Sequence, residues 1–192
     1  MEILNYPHEV LRFKTHPLTK IDKVVKDCAT SMVKIMREEK GAGLSANQVG
    51  LPFSMFVVEW HDGEAKCFVN PIVKPLGSKR QTLREGCLSL PEIFLNIDRK
   101  VSCHIKAWDL NGVYVDETLK GNLARVVQHE MDHLNGVLII DRASETQKIK
   151  LKKHLELMEM SSKTYPKPFP QEHFNEVLYA YTSAGHPIQT TI

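Results

Sequence analysis

The sequence predicts an α+β fold with antiparallel strands, on three observations. Helical periodicity marks segments near both ends of the chain, and strand-like alternation with a hairpin turn fills the stretch between. The third is Gln128-His129-Glu130-Met131-Asp132-His133, which puts metal-ligand chemistry on one of the helices.

The first helix is read from Ile21 to Glu39, where Ile21, Val25, Cys28, Met32 and Ile35 or Met36 recur at helical spacing. Gly41-Ala42-Gly43 breaks it into a loop. Phe53 to Val58 and Lys66 to Val69 read as buried strands joined by a turn at His61-Asp62-Gly63. Val101, Cys103, Ile105 and Ala107 alternate with polar residues, and Val113, Val115 and Leu119 do so less cleanly. Asp109-Leu110-Asn111-Gly112 between them is a hairpin turn, its Asn-Gly suited to positive φ. The histidine-bearing helix starts near Gly121-Asn122 and stops at Asn135-Gly136, where glycine fits a left-handed cap. A last helix opens with the capping-box pattern Ser144-Glu145-Thr146-Gln147 and buries Leu151, Leu155 and Met158.

These elements make one body over residues 1–160. From Ser161 the texture changes, because Tyr165-Pro166-Lys167-Pro168-Phe169-Pro170 cannot continue a helix. The Pro-containing tail, residues 161–192, carries Phe174, Val177, Leu178, Tyr179 and Tyr181. That is too apolar for a solvated linker, so docking on the body or on a second copy is expected, with disorder as the alternative.

A chain of 192 residues can bury a sizeable core. Lys+Arg 25 against Asp+Glu 23 gives a formal charge of +2, which excludes bulk attraction to nucleic acid or an anionic membrane. Any ribosome contact has to come from a local patch. No apolar run has the length of a membrane span. Met1-Glu2-Ile3-Leu4-Asn5-Tyr6-Pro7 lacks a basic region followed by an apolar stretch, so no secretory signal is read. The four cysteines, Cys28, Cys67, Cys87 and Cys103, form no CxxC pair and are expected as reduced thiols in the cytoplasm.

His129 and His133 stand four apart, so their imidazoles share a helix face and can clasp one metal ion. Glu130 is close enough to exchange protons with water at that ion. Leu123, Val126, Val127 and Leu134 make the helix apolar on most sides. Histidines and a glutamate buried there need partners, and a metal supplies them; satisfied core histidines are the competing reading. Two histidines leave a catalytic ion short of three protein ligands. Cys87, in the loop-like context Arg84-Glu85-Gly86-Cys87-Leu88-Ser89-Leu90-Pro91, is the best third. Cys28, Cys67 and Cys103 fall on apolar faces and read as core residues. A thiolate with two imidazoles leaves one coordination position open, as catalytic sites do.

Three ordered motifs then carry a resemblance. Gly41-x-Gly43-Leu44-Ser45-Ala46-Asn47-Gln48, Glu85-Gly86-Cys87-Leu88-Ser89 and Gln128-His129-Glu130-x-Asp132-His133-Leu134 resemble those of the peptide deformylase family, over roughly Ile3 to Met160. The resemblance implies a hydrolase that removes the N-formyl group from the initiator methionine of new polypeptides, releasing formate. It implies antiparallel strands around a central metal-bearing helix, with helices N-terminal and C-terminal to them. Cys87, His129 and His133 would hold one divalent ion, Fe(II) as the working metal, with Zn(II), Ni(II) or Co(II) also accepted by such ligands. Glu130 would be the general base and then acid, and the Gln48 amide and the Leu88 backbone N–H would face the developing oxyanion. Glu85 would pair with Arg99 and fix the Cys87 loop. Gly43 would let substrate backbone approach, Glu85 would also bind substrate, and Leu83, Asn122, Arg125 and Val126 would border the methionine pocket. Arg125 reads equally well as a solvated charge, and Asp132 as either a hydrogen-bonded support or a surface carboxylate.

Two departures stand out. Ser45 occupies a position that is usually alanine, and Asn47 one that is commonly proline; Ala42 is also smaller than is common there. They bear on substrate preference and rate, because they shape the segment carrying Gln48. A zinc endopeptidase is the first alternative, with Glu145 or Glu156 as third ligand, and a non-catalytic metal-stabilised binding protein is the second. Monomer and homodimer both remain open.

Overall fold

Five strands pair antiparallel in chain order: β1 (Gly43–Ser45), β2 (Met55–Glu59), β3 (Ala65–Cys87), β4 (Leu90–Trp108) and β5 (Tyr114–Lys120). Three helices join them, α1 (Lys23–Glu38), α2 (Gly121–Leu134) and α3 (Glu145–Thr164). This is the expected α+β class, with α2 packed against all five strands. The computed structural model describes residues 1–164, so the expected docking of the tail beyond Thr164 lies outside them. Residues 161–164, read as the start of that tail, continue α3 instead.

Helix α1 begins where Asp22 accepts a hydrogen bond from the Val25 N–H at 3.1 Å. Its inward residues Val25, Ala29, Met32 and Met36 are four, three and four apart, the stripe expected of a helix on a core. Cys28 and Ile35, read as inward, lie half-buried at the edge of that stripe. The capping box of α3 forms as the sequence suggests, the Ser144 N–H donating to Gln147 Oε1 at 3.0 Å. Leu151, Leu155 and Met158 pack from α3 onto a core that includes Leu4, Val10 and Leu138.

The loop expected at residues 41–43 is shorter than read, since Gly43 already opens β1. The largest difference is in length: β3 runs 23 residues, far past the expected Val69, and β4 runs 19. Cys87, expected in a loop, is the last residue of β3 and pairs with Leu90 across a two-residue turn of Leu88 and Ser89. Just beyond the turn the ladder slips, from Cys87↔Leu90 to Gly86↔Phe94. Pro91 has no N–H to give there and Glu92 sits at φ 63, so the bulge lifts this part of β4 off regular pairing.

The apolar residues divide into three clusters: one around α1 and β2, one under α3, and one between α2 and the sheet. Leu88 packs on the first, Cys87 on the second, and Val127 belongs to the third. The turn that carries Cys87 and the helix that carries the histidines therefore meet where the clusters adjoin.

Gly136 ends α2 at φ 72, the left-handed cap expected from the sequence, and a Cβ there would lie 2.3 Å from the Arg12 carbonyl oxygen. Gly136→Ala is expected to cost about 2 kcal/mol or more, because both the dihedral and the contact oppose a side chain. A thermal midpoint lower by roughly 4–8 °C checks this, and an unchanged midpoint would refute it.

Candidate metal centre and cleft

Helix α2 presents His129 and His133 one turn apart, their ring centroids 4.9 Å from each other. Cys87 approaches from the end of β3, with its Sγ 3.1 Å from His133 Nε2. One donor atom from each of these three residues lies within 4.8 Å of the other two. Ion–sulfur and ion–nitrogen bonds of about 2.3 and 2.0 Å set donor separations of roughly 3.5 Å around a tetrahedral ion, so the set fits one divalent metal. The ring orientations fit as well. Glu85 Oε2 lies 3.2 Å from His129 Nδ1, which leaves Nε2 for an ion. Buried His133 Nδ1 has no hydrogen-bond partner among the described residues, so that ring meets its neighbours' polar atoms through Nε2.

Electrostatics separate the two histidines. Burial disfavours a charged His129, but hydrogen bonds to Cys87 and Glu85 outweigh it and push the imidazole up to about 10. Burial, with the charge on His129, drives His133 well below the ordinary range. Cys67 and Cys103 are pushed by burial to about 12 and about 11, which keeps them protonated core thiols, in line with the reading from sequence.

Under this pair lies a network of buried charge. Glu85 Oε1 accepts from Arg99 Nε at 2.7 Å and from Arg125, and Oε2 accepts from Arg99 at 2.9 Å. Arg99 also donates to Asp132 at 2.8 Å, and Arg142 donates to both oxygens of Asp132. Burial alone would raise the Glu85 carboxyl; hydrogen bonds from His129 and Arg99 hold it down at about 2. Glu85, expected to bind substrate, borders the cleft, but both its oxygens are engaged by protein partners, so it serves as a strut in the cleft wall. Arg125 is no solvated charge: it is 12% exposed and also donates to the Ile97 carbonyl at 2.9 Å. Asp132 resolves as a hydrogen-bonded support. Arg142 was not singled out from sequence, because nothing local distinguishes it from a surface arginine.

Glu130 is 3% exposed, and burial raises its carboxyl above the usual range, partly offset by His129 and by the Ser45 hydroxyl. Ser45 Oγ lies 2.7 Å from Glu130 Oε2. Gly43 is required by the same side chain, since a Cβ there would stand 2.5 Å from Glu130 Oε1. Its lack of a side chain was read from sequence as room for substrate; the space beside it is filled by the glutamate. Gln48 is 2% exposed on a one-turn 3-10 helix, Ala46–Val49. Its Oε1 accepts from the Ser45 N–H at 2.9 Å, and its Nε2 lies 3.1 Å from Ser89 Oγ and 3.7 Å from Cys87 Sγ. The N-terminal segment ties this helix to the Leu88–Ser89 turn, Leu4 N–H donating to the Gln48 carbonyl and Tyr6 N–H to that of Ser89.

Above these groups opens a cleft of about 670 Å³. Gly43, Gln48, Leu83, Leu88, Asn122, Arg125, Val126 and Glu130 all border it, as does Phe94, which the sequence did not flag. Glu145 and Glu156, the third ligands an endopeptidase would need, are exposed on α3.

A model of the polypeptide deformylase family matches residues 1–149. The chain belongs to that family. It is 38% identical over 161 residues to the peptide deformylase of Rhodopirellula baltica, covering 81% of this chain and 79% of that one. Against the peptide deformylase of Thermotoga maritima it is 42% identical over 146 residues, covering 76% and 88%. The crystal structure of Arabidopsis thaliana peptide deformylase 1B superposes with a TM-score of 0.81 at 34% identity, covering 89% of this chain and 97% of that one. The resemblance of the three motifs is thereby borne out, and with it a hydrolase that removes the N-formyl group from new polypeptides. Dependence on a metal comes with the family, and Cys87, His129 and His133 are the candidate cage.

Glu85→Gln leaves Arg125 without its counter-charge and takes one of two from Arg99, which keeps Asp132. A loss of about 3–5 kcal/mol is expected by denaturant titration. Metal affinity should fall about 10–100-fold because His129 loses its orienting partner. Wild-type stability and affinity in this variant would show the network to be dispensable.

Proposed function

We propose that this chain hydrolyses the formamide of N-formyl-methionyl polypeptides with Cys87, His129 and His133 holding one divalent ion and Glu130 moving the proton. The observation that carries it is the convergence of a thiol and two imidazoles beside a buried carboxylate, with Cys87, His129 and Glu130 lining one cleft. A divalent ion in that cage supplies Lewis acidity to water and to the formyl oxygen. Glu130 accepts a proton from the attacking water as its oxygen bonds to the formyl carbon. It then returns the proton to the departing amine nitrogen as the carbon–nitrogen bond breaks, leaving formate and a free α-amine. The Gln48 amide and the Leu88 backbone N–H face the oxygen on which negative charge develops, each worth about 3 kcal/mol of barrier in a dry site. Leu83, Asn122, Val126 and the stem of Arg125 receive the methionine side chain, beside the exposed backbone of Gly43.

Fe(II) is the working ion we assign, because thiolate and imidazole ligands accept it along with Zn(II), Ni(II) and Co(II), and the family resemblance favours iron. The setting is the cytoplasm, on polypeptides newly released from or still held by the ribosome, with any ribosome contact transient. No helix of the described residues is long and apolar enough to cross a membrane. The protein acts as a monomer or homodimer.

Glu130→Gln should lower kcat by on the order of 10²–10⁴ with metal content retained. Formate release from a formyl-Met peptide, set beside cleavage of an internal amide, checks both the residue and the reaction. Full deformylation by the variant, or cleavage of the internal amide alone, would sink the proposal. Peroxide treatment should inactivate the anaerobically purified protein through the metal or Cys87, and equal activity before and after would refute the iron–thiolate assignment.

A further inference from the structure

We propose that Ser45 is a positioning residue for Glu130, its hydroxyl fixing one carboxylate oxygen so that the other is left to exchange the reacting proton. The proposal rests on the role given to Glu130 above and deepens it.

Ser45 is fully buried at 0% exposure, and its Oγ lies 2.7 Å from Glu130 Oε2 and 3.0 Å from the Glu130 backbone oxygen. Oε1 lies on the Gly43 side, where the missing Cβ leaves room for it, and Glu130 borders the cleft. The two oxygens are thus inequivalent before any substrate binds: Oε2 is tethered by the Ser45 hydroxyl, and Oε1 lies against Gly43, itself a residue of the cleft wall. A hydroxyl carries one hydrogen and two lone pairs. It can donate to Oε2, or donate to the backbone oxygen while accepting from the carboxyl group, and so it keeps a partner in either case.

An alanine would offer neither contact and would leave Oε2 buried without this bond. The tether is also held rigidly. The Ser45 N–H donates to Gln48 Oε1 at 2.9 Å, and Asn47 Nδ2 donates to the His133 carbonyl at 2.6 Å. Asn47 therefore fastens the same segment to the same helix. Strand β1 and the turn after it set the angle of the Glu130 carboxylate through these bonds.

The test is Ser45→Ala, read three ways. We expect kcat to fall about tenfold with KM within about twofold, the loss of one hydrogen bond to a charged group. The Co(II)-loaded variant should keep the wild-type absorption spectrum, since no ligand is touched. In a Glu130→Gln background, removing the hydroxyl should change the residual rate by less than about twofold. Unchanged kcat, a change confined to KM, an altered Co(II) spectrum, or an equal tenfold loss in both backgrounds would each overturn the proposal. Full activity of Glu130→Gln alone would instead overturn the role of Glu130, so the two failures are distinguishable.

Discussion

One carboxylate, that of Glu85, ties the elements of this site together. It sits near the end of β3 two residues before Cys87, and it draws in Arg99 from β4 and Arg125 and His129 from α2. Removing several charges from water costs more than any single pairing returns, so such a network adds little to net stability. What it adds is direction. A guanidinium meeting a carboxylate through two parallel bonds has a fixed plane, and that plane sets the relation of the strand end to the helix. Cys87 and His129 meet because their neighbours are already joined.

The network also explains why a metal cage can be built from elements distant in sequence. Cys87 ends a strand and the histidines lie on a helix, and each belongs to a different packing environment. Apolar packing is non-directional and leaves freedom of small rotations. Hydrogen bonds from the helix to Glu85, and from the N-terminal segment to the Gln48 and Ser89 carbonyls, remove that freedom around the cleft. The candidate ligands Cys87, His129 and His133, together with Glu130 and Gln48, are thereby held on three separate pieces of backbone.

Much of this was legible in the sequence, for local reasons. The helix of His129 and His133 declared itself because ligand spacing, apolar flanks and a terminal glycine agree on one element. Helix α1 and the hairpin at Asp109–Gly112 were equally plain. The long outer parts of β3 and β4 were not. Lys74 to Arg84 interrupts its pattern with Pro75 and Gly77 and exposes polar residues on both faces. Only backbone pairing with β4 makes it a strand. Gln48 stands out only through its motif, because its burial depends on Ser89 and the N-terminal segment, far away in sequence. Arg125 looked like a solvated helix charge, although its partner Glu85 belonged to a motif already in view. The sequence flagged Ser45 and Asn47 as unusual, but the bonds that make them useful run across the fold to α2.

Gly43 bears on how the cleft could be reshaped. Its backbone forms part of the cleft wall, and the volume its side chain would occupy belongs to Glu130. Cleft wall and buried carboxylate therefore stand in direct contact, with no padding between them. An engineer seeking a wider or differently shaped cleft has no latitude on that side, where any added atom displaces the carboxylate. Latitude lies elsewhere on the wall, at Leu83 and Phe94, which border the cavity from β3 and β4. Altered substrate range in this chain would therefore be sought on the sheet side, with the strand beside Glu130 left untouched.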